Sequence, residues 1–168
     1  MRSKKDWKNE LQNQLGDGFI VYNPQMPNKQ NAQYAEWKIF FEKIMNLVNE
    51  NVILIGHSMG GIFLAKYLSE NDVLKKIKKT FLISAPFDNE ELTHESLVSF
   101  LRGGDLKNLE KQAGQIYLYH SEDDTVVPFS HLEKYVRGIV SPNVRVLKDK
   151  GHFNKLEEIP GLLDDLIL

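Results

Sequence analysis

The stretch Asn51-Val52-Ile53-Leu54-Ile55-Gly56-His57-Ser58-Met59-Gly60-Gly61 carries residue types at a spacing suited to nucleophilic catalysis. Val52 to Ile55 is short, uncharged and rich in β-branched residues, which predicts a buried strand of a parallel sheet. Ile62 to Leu68 has the length and composition of a helix. Gly56-His57-Ser58-Met59-Gly60 therefore fits Gly-x-Ser-x-Gly at a strand-to-helix turn, the nucleophile elbow. Such a turn is strained. Side chains two residues to either side of the serine would collide with the neighbouring chain, so only glycine or another small residue is expected at positions 56 and 60. The turn exposes the Ser58 hydroxyl at the carboxyl end of the strand. It also sets the Met59 amide at a helix N-terminus, where it can face a developing oxyanion. A five-residue match is weak alone, and two other readings compete. One is a glycine-rich turn without chemistry. The other is a phosphate-cradling loop, which would need Gly-Lys-Ser/Thr or Gly-x-Gly-x-x-Gly, and the sequence has neither. The strand before and the helix after favour the catalytic reading.

A serine hydroxyl is a poor nucleophile until a base removes its proton. Histidine is the side chain suited to that task near neutral pH. His152 follows an expected strand at Val144–Leu147, and Asp124 follows one at Gln115–His120. Both would lie beyond the carboxyl ends of parallel strands, where such sheets bind ligands. The carboxylate would fix the imidazole tautomer and stabilise the imidazolium. Asp123 competes with Asp124 for this role, and Asp88 is a more distant third. His57 is expected to pack within the elbow and not to act as a base. His120 would tune the acidic loop Ser121-Glu122-Asp123-Asp124, while His94 and His131 read as surface residues. His120, Asp123 and Asp124 lack a clear spaced ligand set for a metal. No metal and no cofactor is expected.

Those side chains must be carried by a scaffold, and 168 residues suit one domain with a sizeable core, spanning residues 1–168. A hydrophobic fraction of 42% and a charged fraction of 26% are ordinary for a globular protein. The net charge of −2 gives no reason to expect nucleic acid or an anionic membrane as partner. Cysteine is absent, which excludes disulfides, thiolate metal sites and a cysteine nucleophile. No apolar segment is long enough to span a bilayer. Met1-Arg2-Ser3-Lys4-Lys5-Asp6 is charged and no apolar run follows it, so it does not read as a signal peptide; a cytoplasmic location is the default expectation.

Ser3 to Asp6 resembles a capping box, and Trp7, Leu11 and Leu15 then recur every four residues, predicting a helix that Gly16-Asp17-Gly18 stops. Phe19 to Tyr22 reads as a strand. Pro24 and Pro27 exclude regular structure in the next segment. Ala32 to Glu50 reads as a long helix whose stripe of Trp37, Phe40, Phe41, Ile44 and Leu47 faces the core. The lysines between Asn71 and Lys79 read as a solvated face. Strands are expected at Thr80–Ser84, Gln115–His120 and Val144–Leu147. Helices are expected near Glu95–Leu101 and at Leu106–Gln112, Ser130–Gly138 and Leu156–Ile167. Strands alternating with helices imply an α/β fold, a mostly parallel sheet of about five strands covered on both faces in three layers.

Three motifs, Gly56-His57-Ser58-Met59-Gly60-Gly61, Asp124-Thr125-Val126-Val127-Pro128 and Gly151-His152-Phe153, together resemble the α/β-hydrolase superfamily. Ser…Asp…His is its triad order. Within it, the chain is similar to the small cap-less serine hydrolases of the retinoblastoma-binding serine hydrolase and YdeN group. The Trp7-Lys8-Asn9-Glu10-Leu11 helix and the Met26-Pro27 segment fit that group too. The resemblance covers essentially the whole chain, and its Asp-x-x-Val-Pro register favours Asp124 over Asp123. It implies a catalytic triad of Ser58, Asp124 and His152, with the Met59 N–H in the oxyanion site. It also implies a strand and a Gly-rich loop ahead of the first helix, the loop supplying a second oxyanion amide. Here the first helix begins almost at Met1 and no glycine precedes Gly16. The expectation is thus an N-terminally truncated hydrolase of marginal stability, lacking a donor worth about 3 kcal/mol. The leading function is that of a serine hydrolase, carboxylesterase-like, cleaving a small-molecule ester through an acyl-serine. The alternative is a non-catalytic binding or scaffold protein on the same fold.

Overall fold

The computed structural model describes residues 6–92 and 97–168. The chain forms two compact units, one of Met1–Gln25 with Phe153–Leu168 and one of Met26–His152. The smaller unit holds two helices, here α1 (Trp7–Leu15) and α6 (Leu162–Ile167). The α1 helix is capped by Asp6, whose carboxylate accepts from the Lys8 amide; Ser3 lies outside the described residues. Asp6 is therefore the cap itself and not the N3 acid of a capping box. Trp7 and Leu11 are buried, as their spacing predicts, and Gly16 ends the helix at φ 65°. The last helix covers only Leu162–Ile167, because Pro160 and Gly161 (φ 80°) interrupt the span expected from Leu156.

Phe19 to Tyr22 is not a strand. The Gln12 amide takes the place of a ladder partner, its Nε2 donating to the Phe19 carbonyl at 2.9 Å and its Oε1 accepting from the Val21 N–H at 2.8 Å. Ile20 remains 75% exposed.

The larger unit is built on a four-stranded parallel sheet in the order β1 (Val52–His57), β2 (Ile77–Ile83), β3 (Gln115–Ser121), β4 (Asn143–Leu147), not the five strands expected. Each crossover carries a helix: α3 (Met59–Glu70) after β1, α4 (Lys107–Gln112) after β2, and α5 (Ser130–Gly138) after β3. A strand, crossover and parallel strand repeated in this way places every strand's carboxyl end on one edge of the sheet.

Alternate residues face opposite sides of a strand. Leu54, Leu82, Ile116 and Leu118 point to one face and join Ile62, Leu64, Leu68, Leu109, Leu132 and Tyr135 in a single buried cluster. The α2 helix (Tyr34–Met45) adds Trp37 and Met45 to that cluster, with Tyr34 and Phe41 packed against it. Trp37 meets Phe100 and Phe63 edge-on at 5.1 and 5.7 Å, and its indole N–H donates to the Pro27 carbonyl at 2.8 Å. Of the expected stripe, Trp37 is buried in the core and Phe41 packs against it, whereas Phe40 and Ile44 are half-buried outside that cluster, α2 ends at Met45, and Leu47 is 67% exposed. Two further expectations are corrected. Lys79, expected on a solvated face, is buried within β2. Of the helix expected at Glu95–Leu101, Glu95 and Ser96 lie outside the described residues, and the described part holds a 3-10 turn at Val98–Phe100.

The β1–α3 connection is tightly packed. A Cβ built on Gly56 would lie 2.4 Å from the Gly60 carbonyl oxygen, and one on Gly61 would lie 2.4 Å from the Ala85 Cβ. A Cβ on Gly60 would meet nothing within 4 Å. Crowding therefore acts at Gly56 and Gly61, whereas the motif alone pointed to Gly56 and Gly60. Gly60 sits inside α3, where alanine is the better helix former by roughly 0.5–1 kcal/mol. Gly56→Ala should accordingly lower the urea midpoint by an amount worth about 1–3 kcal/mol, and Gly60→Ala should leave it unchanged or raise it. The opposite ranking would show that the crowding at residue 56 is relieved elsewhere.

Candidate active site

The site grows from the elbow. Ser58 follows directly on β1 and caps α3 with φ 54° and ψ −120°, a conformation that L-residues rarely adopt outside functional turns. Its amide donates to the Ile83 carbonyl at 2.9 Å, tying the turn to the end of β2. Its carbonyl accepts from Gly61 at 2.8 Å and starts the helix. The first amides of a helix have no acceptor within it, so the Met59 N–H lies at the positive end of α3, one residue beyond the serine.

Asp124 comes from the loop after β3. One oxygen, Oδ1, accepts from the backbone amides of Val126 at 2.9 Å and Val127 at 3.0 Å. The other, Oδ2, lies 2.8 Å from Nδ1 of His152. The structure thus brings Asp124 and His152 together across 28 residues of sequence. An ionised carboxylate can only accept, so Nδ1 carries the proton and the Nε2 lone pair of His152 is left available to a proton donor. Burial alone would raise the Asp124 carboxyl. The His152 and Val127 hydrogen bonds and the attraction of His152 outweigh it and bring the carboxyl down to about 2. Ser84, buried at φ 42° at the end of β2, adds a weak pull in the same direction. Its hydroxyl falls short of a well-formed hydrogen bond.

Asp123, the competing acid, is turned to a different task. It accepts from the Ser121 hydroxyl and from the Lys150 and Gly151 amides at 3.2 Å. It therefore anchors the loop that carries His152. Asp88 is held by Lys134 Nζ at 2.7 Å and by the Glu90 amide. Burial would raise its carboxyl, but these bonds and the charges of Lys134 and His131 lower it.

The other histidines are placed as follows. His120 is buried, its Nε2–H donating to the Val127 carbonyl at 2.8 Å, with Asp124 Oδ2 at 3.6 Å. Burial lowers its pKa, so it stands beside the acidic loop as a neutral ring. His131, expected at the surface, is fully buried. Its Nδ1 accepts the Phe87 N–H at 3.0 Å and its Nε2–H donates to the Glu90 carbonyl at 2.9 Å, so it closes a loop. Tertiary packing overrides the polar character that suggested exposure. His94 lies outside the described residues. His57 reaches beyond the elbow: its Nε2 lies 2.9 Å from the His152 carbonyl and the two rings are 4.8 Å apart. Only its place beside Ser58 hinted at this in the sequence. Among the described residues no three His, Cys, Asp or Glu side chains group as metal ligands, and no helix is long and apolar enough to cross a membrane.

Comparison with known proteins places the fold and the family. YdeN of Bacillus subtilis strain 168 is 26% identical over 149 residues, covering 88% of this chain and 77% of YdeN. The crystal structure of the B. subtilis ydeN gene product superposes with a TM-score of 0.81 at 20% identity, over 99% of this chain and 92% of that one. A YdeN-like protein of Pectobacterium atrosepticum superposes at 0.71 with 14% identity, over 98% and 82%. An esterase of Exiguobacterium antarcticum superposes at 0.59 with 21% identity, over 80% and 72%. These structural likenesses establish the α/β-hydrolase fold. The model of the serine hydrolase family matches residues 1–159, and the chain belongs to that family.

Proposed function

We propose that the chain hydrolyses a small ester or related acyl compound through an acyl-Ser58 intermediate. The observation that carries this reading is the 2.8 Å contact between His152 Nδ1 and Asp124 Oδ2, read together with the positive φ of Ser58 at the β1–α3 turn. In this reading His152 Nε2 accepts the Ser58 proton as Oγ attacks the ester carbonyl. The tetrahedral oxyanion is met by the Met59 amide at the start of α3. Collapse breaks the acyl–oxygen bond, and the imidazolium returns its proton to the departing alkoxide. Water then repeats the sequence on the acyl-serine, releasing the acid and restoring Ser58. Asp124 stays ionised throughout and stabilises the imidazolium. The fold and family support a hydrolase; the ester substrate and the covalent step are the proposal. The substrate is small and the reaction needs no cofactor.

A fluorophosphonate probe tests this directly, since it reacts with an activated serine. The wild-type chain should be labelled, and Ser58→Ala should abolish labelling and aryl-ester turnover without loss of folding. Labelling that persists in Ser58→Ala would remove Ser58 from the mechanism. A folded wild-type chain that resists the probe would favour a binding protein on the same scaffold.

The Asp124 carboxylate also makes a prediction about acid stability. Its folded pKa of about 2 lies below the unfolded value of about 3.9. Its contribution is therefore fully present above about pH 5 and is lost as pH falls through about 2. Two units correspond to about 2–3 kcal/mol. The stability gap between wild type and Asp124→Asn should shrink by roughly that amount from pH 5 to pH 2, as read by denaturant titration at each pH. A gap that stays constant would show that the carboxylate is not held in its ionised form.

A further inference from the structure

The loop that carries His152 has no secondary structure of its own, and Gly151 within it takes φ 52°. Four side chains among the described residues hold it. Asp124 holds the His152 ring through Nδ1, Asp123 holds the Lys150 and Gly151 amides, and the Ser121 hydroxyl oxygen also accepts from the Lys150 N–H at 3.2 Å. The fourth is His57, whose Nε2 stands 2.9 Å from the His152 carbonyl oxygen.

A carbonyl oxygen can only accept, so Nε2 of His57 carries a proton. That proton is committed to the backbone of His152, and Nε2 of His57 has no lone pair to offer as a base. Whether the ring is neutral or protonated, Nε2–H remains a donor. The bond does not depend on the charge of His57.

His57 is the last residue of β1, and Ser58 is the next residue in the chain. The β1 strand pairs with β2 as far as His57↔Ile83, and the Ser58 amide bonds the Ile83 carbonyl. The sheet thus fixes the backbone of both residues. His57 extends that fixed frame to a loop which lies nearly a hundred residues further on.

We propose that His57 is a positioning residue, whose Nε2–H pins the main chain of His152 and thereby sets the base loop against the neighbouring nucleophile. The inference rests on the Ser58–Asp124–His152 reading for its catalytic consequence, but the pinning itself does not require it. Acid–base chemistry depends on hydrogen-bond reach between base and nucleophile, and displacements on the order of 1 Å can cost about a hundredfold. The donor that holds this separation is supplied by the residue preceding the serine.

Two substitutions separate the donor from the ring. His57→Gln offers an amide N–H at similar reach, while His57→Phe keeps ring volume and removes the donor. Turnover of a small aryl ester should fall about tenfold in His57→Phe, the rate effect of one net hydrogen bond. KM should stay within about twofold, because substrate contacts are unchanged. His57→Gln should recover most of the loss. Hydrogen–deuterium exchange at residues 150–152 gives a readout that needs no reaction. Exchange should be faster in His57→Phe and close to wild type in His57→Gln. If His57→Phe does not fold, His57→Leu carries the same comparison. Wild-type turnover and exchange in the donor-free variant, or equal impairment of Gln and Phe, would overturn the proposal. Labelling that survives Ser58→Ala would overturn the nucleophile assignment instead, and leave the exchange result to decide the role of His57.

Discussion

The contact on which the rest of the site depends is the close approach of β1 to the first turn of α3. At Gly56 the backbone runs so near the Gly60 carbonyl that no Cβ fits, and at Gly61 it runs against Ala85. This packing allows the chain to leave a buried strand and enter a helix within a single residue. That residue is Ser58, held at positive φ. A residue in that region costs on the order of 1–3 kcal/mol and persists only where its surroundings overdetermine it. Here the surroundings are the parallel sheet on one side, through the Ile83 carbonyl, and the α3 helix on the other. The backbone of Ser58 is thereby fixed between sheet and helix, with the first amides of α3 directly after it.

A second balance governs the acid. Asp124 is removed from water, which opposes ionisation, yet its two oxygens receive two backbone amides and a histidine. Charge-assisted hydrogen bonds are roughly twice as strong as neutral ones, and here they outweigh the desolvation. The neighbouring Asp123 is exposed to water and bonds the backbone of the His152 loop. Two adjacent carboxylates thus do different work because one faces the core and the other faces a loop. Around them, His120 and His131 are buried, the first bonded through Nε2 and the second through both ring nitrogens, and burial lowers the pKa of each, which keeps extra positive charge away from Asp124.

Much of this was legible in the chain. The β1 run, the serine between glycines and the helix after it declared the elbow, because strand, turn and helix signals fell in immediate succession. Ser130–Gly138 emerged as a helix with the boundaries its pattern suggested. Trp37 and Phe41 of α2 were legible as core from their spacing, though Leu47 at the end of the same stripe is exposed. Other elements misled for identifiable reasons. Phe19 to Tyr22 has strand composition, but whether a strand forms depends on a partner edge, and here a glutamine side chain satisfies the backbone. Lys79 belongs to a lysine-rich run that reads as solvated, yet strand alternation within β2 turns it inward.

The sequence by itself determined the order and type of most elements, the Gly-x-Ser-x-Gly turn, and the residue types available for an acid–base relay. These are local properties, set by side-chain shape, backbone freedom and hydrophobic period over a few residues. Only the tertiary structure decided which of two adjacent aspartates meets His152, that Gly61 and not Gly60 is the crowded glycine, that His131 is interior, and that His57 reaches the backbone of His152. Each of these depends on groups far apart in the chain and on the direction in which a side chain leaves its loop. Such directions follow from how the parallel strands align their carboxyl ends, a relation that no window of neighbouring residues contains.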